Sequence, residues 1–294
     1  GERHEAWIKT IPDGYEPQVS ENFANILNEW NRIDNHENIV TILAWGEEPY
    51  PWVANERLTS NLDKMIRDEG PIDVNKSLWI GERIADALVI AHNKGMAHFD
   101  LKPGNIMLEY REDWWDKPKI ADWQSGKSLR YHDGRSLSGG TDERYAAPEI
   151  EDSEWGWVGE KADLYHLGEI LYEMLTGRKW LEGNKPANVL RDGVRREVGQ
   201  FVAGLLITEV GNRRPDDAAT ARDKLINLRD GGEDNLPDSP PTPINKAGVA
   251  PPNDAIEVLR ARRNESISAC LKQAKRVGRK VNDNEMDNEA YDEL

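Results

Sequence analysis

Residues 98–105 read His-Phe-Asp-Leu-Lys-Pro-Gly-Asn, so that Asp100, Lys102 and Asn105 place a carboxylate, an ammonium and an amide in one loop. Phosphoryl transfer suits such a set, because it needs little covalent help and much positioned charge. A carboxylate accepts a hydroxyl proton, a lysine neutralises the moving phosphoryl group, and an amide oxygen holds a metal ion. Downstream, Lys119-Ile120-Ala121-Asp122 supplies a second metal-ready carboxylate after a short strand pattern, and Ala147-Pro148-Glu149 closes the segment. A lone Asp-x-Lys is usually ordinary surface charge. Three such motifs in order within about fifty residues are a much stronger signal.

These groups need elements to hold them. Residues 1 to about 62 read as short strands around one helix: Ala6-Trp7-Ile8-Lys9, Ile39-Val40-Thr41-Ile42-Leu43 and Trp52-Val53-Ala54 are strand-like, and Asn22 to Ile33 has helical spacing. From Ser77 the helical period dominates. Leu78, Ile84, Ala85, Leu88 and Ala91 share a face that stops at Gly95, and Leu164, Leu167, Leu171, Met174 and Leu175 form a stripe that stops at Gly177. Strand-rich sequence followed by helix-rich sequence indicates an α+β architecture in two lobes.

The chain has 294 residues, enough for a sizeable core, and a formal charge of -16. That acidity argues against a general nucleic-acid binder and leaves open a salt-adapted host. The single cysteine, Cys270, excludes an intrachain disulfide and a cysteine-based zinc site. No apolar run is long enough to span a membrane and no signal peptide is visible, so a cytoplasmic location is expected. An opening at Gly1, directly into strand-like sequence, reads as a fragment or a processed form. Residues 231–252, rich in proline and glycine, read as a linker. Residues 253–294 follow as a basic helical stretch, which could dock a partner, and an acidic disordered tail.

The loop around Asp100 resembles the catalytic loop of protein kinases. The segment at Asp122 resembles their metal-binding Asp-Phe-Gly motif, and Ala147-Pro148-Glu149 matches their Ala-Pro-Glu motif. The resemblance runs from residue 6 to about 228. It implies a bilobal kinase fold, with a partial antiparallel-sheet N-lobe including the hinge over residues 1–62 and a mainly helical C-lobe over 63–230. It also implies ATP and magnesium as cofactors. Asp100 becomes the catalytic base, Lys102 sits beside the γ-phosphate, and Asn105 and Asp122 hold the metal. Lys9 matches the strand lysine that grips the α- and β-phosphates. Glu56 and Leu58 fall where the hinge backbone meets adenine, and Met107 where the floor beneath the ring lies. Asp163 resembles the aspartate that anchors the catalytic loop, while Glu149 and Arg214 resemble the ion pair bracing the lower lobe. His98 and Trp123 read as scaffold. The run Asp-Leu-Lys-Pro-x-Asn, with Gly140-Thr141 before Tyr145, belongs to the serine/threonine branch, so the implied partner is a protein with a Ser or Thr acceptor.

Several positions depart from the family pattern. No glycine-rich loop precedes Lys9, so its strand is expected at a sheet edge with unpaired backbone groups. Trp7 stands where a small residue normally roofs the adenine, and an indole could fill that space. Ile26-Leu27 occupies the offset expected for the glutamate partner of Lys9, with Glu21 and Glu29 as off-register substitutes. Gln124 replaces the motif glycine. Phe99 replaces the arginine that commonly reads a phosphate on the activation segment, so activity is expected not to depend on phosphorylation at Ser136, Ser138 or Thr141. The leading reading is a serine/threonine protein kinase catalytic domain. A pseudokinase-like or truncated scaffold is the alternative, and a small-molecule phosphotransferase is the third.

Overall fold

The computed structural model describes residues 6–10, 27, 30–46, 52–58, 60–110, 116–123, 127–128, 145–152, 154, 158–180, 185–213 and 215–230. The chain divides into two compact units, Gly1–Pro237 and Asp238–Leu294, and every described residue lies in the first. The linker, basic helix, acidic tail and Cys270 expected beyond residue 230 therefore lie outside the described residues, as do Glu21, Glu29, Gln124, Ser136, Ser138, Thr141 and Arg214.

Strands β1 (Ala6–Thr10), β2 (Ile42–Gly46) and β3 (Trp52–Glu56) form an antiparallel sheet in the order β1-β3-β2. Opposite residues of paired strands point to the same face, and side chains alternate along each strand. The register Trp7↔Asn55 and Lys9↔Val53 therefore puts Trp7, Lys9, Val53 and Asn55 on one face. Among the described residues β1 has a strand neighbour on one side only. Trp7 and Ile8 are each 57% exposed there.

The strand expected at 39–43 begins later, at Ile42. Residues 38–40 are drawn to another partner: Val40 N–H donates to the Ile120 carbonyl (2.9 Å) and Ile120 N–H to the Asn38 carbonyl (2.8 Å). Ile39 forms an isolated parallel bridge with Ile120, stitching the upper sheet to the strand that leads into Asp122. Of the helix expected from Asn22 to Ile33, the described residues Leu27, Trp30 and Asn31 are helical, and a turn follows.

Below lie β4 (Ser60–Asn61), α1 (Leu62–Glu69), α2 (Val74–Asn93) and β5 (Met96–Ala97). The catalytic-loop sequence then runs through a 3-10 turn, Pro103–Asn105, into β6 (Ile106–Glu109), β7 (Lys117–Ile120) and β8 (Lys127–Ser128). These strands pair antiparallel as β4-β6-β7 and β5-β8. Helices α3 (Pro148–Glu151), α4 (Lys161–Thr176), α5 (Ala187–Leu190), α6 (Arg196–Leu205) and α7 (Ala218–Asp230) complete the described chain.

Local chemistry sets the helix ends. Asp73 caps α2 by accepting from Lys76 N–H at 3.0 Å, and Asn61 caps α1 by accepting from Lys64 N–H at 2.9 Å. Gly177 ends α4 in the left-handed region at φ 67°, where a side chain would be strained. Both apolar stripes read from the sequence face inward: Leu78, Leu88, Leu164, Leu171 and Met174 are all fully buried. Each such side chain contributes roughly 1.5–3 kcal/mol on burial. The result is the bilobal α+β fold that the motifs implied. Among the described residues no helix is long and apolar enough to cross a membrane.

Candidate active site

The site is built downward from one buried carboxylate. Asp163, in the first turn of α4, is fully buried. Its Oδ2 accepts from His98 N–H and its Oδ1 from Phe99 N–H, both at 2.8 Å. His92, in the last turn of α2, lies 2.9 Å from Oδ2 through Nε2. Burial alone would push the Asp163 carboxyl up, but the His92 hydrogen bond and the neighbouring histidines outweigh it and hold the group below the usual carboxylate range. Asp163 is thus an anion from which the loop hangs.

The suspension has a visible conformational consequence. Phe99 has φ 62° although it is not glycine, and its ring is buried at 1% exposure. A bulky residue holds that backbone region only where its surroundings over-determine it, and here two carboxylate bonds flank the peptide. His98 serves as a strut. Its Nδ1 accepts from Asp100 N–H (3.2 Å), so Nε2 carries the proton and donates to the Ala121 carbonyl at 2.8 Å. Its ring meets Trp123 edge-on at 4.9 Å, and the Trp123 indole N–H donates to the Ile120 carbonyl. Both residues are fully buried and act as scaffold, as their sequence context suggested.

Asp100, at 6% exposure, sits at the centre of a small polar cluster. Lys102 Nζ lies 3.2 and 3.1 Å from its two carboxylate oxygens. The Asn105 amide Nδ2 donates to the Asp100 carbonyl at 2.7 Å and to its Oδ2 at 3.2 Å. With Nδ2 committed in this way, Oδ1 is the Asn105 atom left to act as a ligand. The Asn105 carbonyl accepts from Ala121 N–H at 2.9 Å, tying the loop to the residue before Asp122.

Asp122 is the second described non-glycine residue with positive φ, at 64°. Its carboxylate, one-third exposed, accepts from Lys9 Nζ at 2.9 Å. The β1 lysine therefore reaches across the cleft to the carboxylate that follows β7. Among the described residues no set of three or more His, Cys, Asp or Glu groups could hold a metal by itself. Two hard oxygen donors, from Asn105 and Asp122, suit magnesium, which keeps waters and substrate phosphates in its remaining positions.

Glu56, Leu58 and Met107 lie further along. No hydrogen bond joins them to the Asp100 cluster among the described residues. Glu56 ends β3, and its backbone N–H donates to the Thr41 carbonyl. Its carboxylate accepts from Thr41 N–H and from Lys119 Nζ, each at 2.8 Å. Leu58 is buried just beyond, and Met107, half-buried in β6, stands opposite Lys119 in the ladder. Sequence reasoning missed the Lys119 clasp, although the alternation Lys117-x-Lys119 before Asp122 put a cation on one face of β7.

One assignment needs correction. The buried partner of Glu149 is Arg213, not Arg214. Arg213 donates to Glu149 through Nη1 (2.6 Å) and Nη2 (2.8 Å), both side chains being fully buried. It also donates to the Lys161 and Ile207 carbonyls and lies 5.0 Å from the Tyr165 ring. Adjacent arginines are chemically equivalent in sequence, and only the backbone direction after the turn Val210–Asn212 decides which one turns inward.

Known proteins place this geometry. The sequence model of the protein kinase domain family matches residues 3–227. The chain is 28% identical over 239 residues to the serine/threonine-protein kinase PknK of Mycobacterium bovis, covering 76% of this chain and 21% of that protein. It is 32% identical over 152 residues to the serine/threonine-protein kinase pkn3 of Myxococcus xanthus, covering 49% and 27%. With PknB of Mycobacterium tuberculosis it shares 28% over 174 residues, covering 55% and 26%. The chain thus spans about a fifth to a quarter of the length of these relatives. With the match running through both lobes and every motif described above, the chain belongs to the protein kinase domain family.

Proposed function

We propose that this chain is the catalytic domain of a serine/threonine protein kinase, moving the γ-phosphoryl group of ATP to a protein hydroxyl. The observation that carries this reading is the Asp100–Lys102–Asn105 cluster, hung from Asp163 and bonded to the peptide before Asp122. In the reaction the acceptor oxygen bonds to the γ-phosphorus, the bond from that phosphorus to the β–γ bridging oxygen breaks, and ADP leaves. Asp100 orients the acceptor hydroxyl and takes its proton as the bond forms. Lys102, already against Asp100, balances charge on the transferring group. Asn105 Oδ1 and the Asp122 carboxylate are the groups that would hold magnesium, which supplies charge neutralisation at the phosphates when bound. Lys9, paired with Asp122 at 2.9 Å, would neutralise charge on the phosphates. Glu56 and Leu58 would offer backbone groups to the adenine edge, and Met107 would form the floor beneath the ring.

The serine/threonine assignment draws on Lys102-Pro103 and on the relatives named above. The scaffold alternative has no observation in its favour. The test of acceptor class is phosphoamino-acid composition after transfer from magnesium-ATP to a mixed protein substrate. Phosphoserine and phosphothreonine are expected. Label found only on tyrosine, or only on small sugars or aminoglycosides offered in competition, contradicts the proposal.

A further inference from the structure

The C-terminal ends of α1 and α4 meet at a cleft of about 480 Å³, and none of the residues that line it has a part in the chemistry above. Four of them carry charge: Asp63 and Arg67 from α1, Glu173 from the last turn of α4, and Arg178 just beyond it. Their pairing is uneven. Arg67 Nη1 lies 3.2 Å from the Asp63 carboxylate, and the buried Glu173 carboxylate accepts from the Tyr145 hydroxyl at 2.8 Å. Arg178 is held through its backbone, whose N–H donates to Thr176 Oγ1 at 3.2 Å. Its exposed guanidinium has no hydrogen bond or ion pair among the described residues. Lys179 follows, with Nζ 4.3 Å from the centroid of the Tyr145 ring. The charge left unmatched at this cleft is positive.

Resting on the kinase reading above, we propose that this cleft docks the acceptor protein and selects segments that carry Asp or Glu near the phosphorylated hydroxyl. Tyr145 links the cleft to the reaction. Its hydroxyl holds Glu173 in the cleft wall, and its backbone leads into Ala147-Pro148-Glu149 two residues on. A planar guanidinium with open donors matches a carboxylate through two parallel hydrogen bonds, and Arg178 supplies that fork. With Arg67 and Lys179, three cations stand against the carboxylates of Asp63 and Glu173, so one negative charge closes the balance. The single charge of an Asp or Glu side chain does so, whereas a phosphorylated side chain, at nearly two, overshoots it. An acidic acceptor gains nothing from the overall charge of -16, so its attraction is local to this cleft. Arg178 is therefore a specificity-determining residue for the acceptor.

Steady-state kinetics on a set of serine peptides, with each flanking position in turn carrying Glu, Gln, Lys or phosphoserine, test this. At a position that reaches the cleft, wild-type protein should show a KM about three- to tenfold lower with Glu than with Gln and a similar kcat, the scale of a charge-assisted pair at a partly exposed site. Added salt should shrink the difference. Arg178→Gln should bring the two KM values together, Arg178→Lys should keep part of the difference, and Arg178→Glu should favour Lys. Arg178 is exposed, so its replacement leaves the core intact. Equal KM values for Glu and Gln at every position, a wild-type preference for Lys or phosphoserine over Glu, or an Arg178→Gln protein that keeps the wild-type difference overturns this inference while leaving phosphoryl transfer standing. Labelling of a mixed protein substrate but of none of the peptides also overturns the inference alone. Labelling of neither overturns the kinase reading with it.

Discussion

Asp163 does at the level of single residues what no member of the Asp100 cluster does for itself. It is fully buried, and both of its oxygens are spent on the peptides that lead into Asp100. Asp163→Asn keeps the shape but replaces one acceptor by a donor facing a donor. Turnover should fall at least about 100-fold, the scale on which small misplacements of reacting groups act, with a smaller change in KM for ATP. Steady-state kinetics on the purified variant check this. An unchanged kcat would mean that the loop is positioned by other contacts.

His166, three residues further along α4, is a second buried group with a measurable signature. It is fully buried, and neither ring nitrogen has a hydrogen-bond partner. Burial pushes its pKa down from 6.5 to about 4, against the attraction of Asp163. The unfolded chain takes up this proton near pH 6.5, whereas the folded chain resists until about pH 4. Stability is therefore full above that window and is lost as pH falls through it, at about 1.4 kcal/mol per pH unit. Asp163 adds to the loss at the low end, because a depressed carboxyl contributes stability only while ionised. Replacing His166 with methionine should flatten the decline in Tm between pH 6.5 and about 4. An unaltered decline would assign it to other groups.

At the scale of elements, the lower lobe is braced by a fully buried charge pair. Arg213 and Glu149 join the turn after α6 to α3, and both side chains are fully buried. Arg213→Met strands a buried carboxylate, so equilibrium unfolding should show a loss of about 3–5 kcal/mol. The double change with Glu149→Met should recover much of it, since an apolar pair leaves no charge uncompensated. A loss below about 1 kcal/mol would place the pair among exposed salt bridges.

This pair also shows how far the elements were legible in the sequence. The stripes of α2 and α4 were legible, because burial follows the helical period. The loop from Asp100 to Asn105 was legible, because its chemistry is local. What could not be read depended on partners far along the chain. Which of two adjacent arginines met Glu149, 64 positions away, was set by the backbone direction after the turn Val210–Asn212, and Lys119 met Glu56 across 63 positions. Residues 38–40 bonded to Ile120 of β7 rather than to β3, whereas Thr41, the next residue, bonded to Glu56 at the end of β3.

At the scale of the whole molecule, one unit brings the two lobes to a single cleft. Lys9 comes from the upper sheet, Asp122 follows a strand of the lower sheet, and they meet at 2.9 Å. The stitch between residues 38–40 and Ile120, together with the Glu56–Lys119 clasp, holds those two sheets in register across the cleft. The whole chain carries a formal charge of -16, which disfavours binding of polyanions through a general surface.

The most direct test is transfer of labelled γ-phosphate from magnesium-ATP to a protein substrate, with Asp100→Asn assayed beside the wild type. The account predicts transfer by the wild type and a loss of at least about 100-fold in the variant, the contribution expected of a positioned general base. The variant should keep its affinity for ATP. A folded wild type without transfer, or an Asp100→Asn protein as active as the wild type, would contradict the central claim.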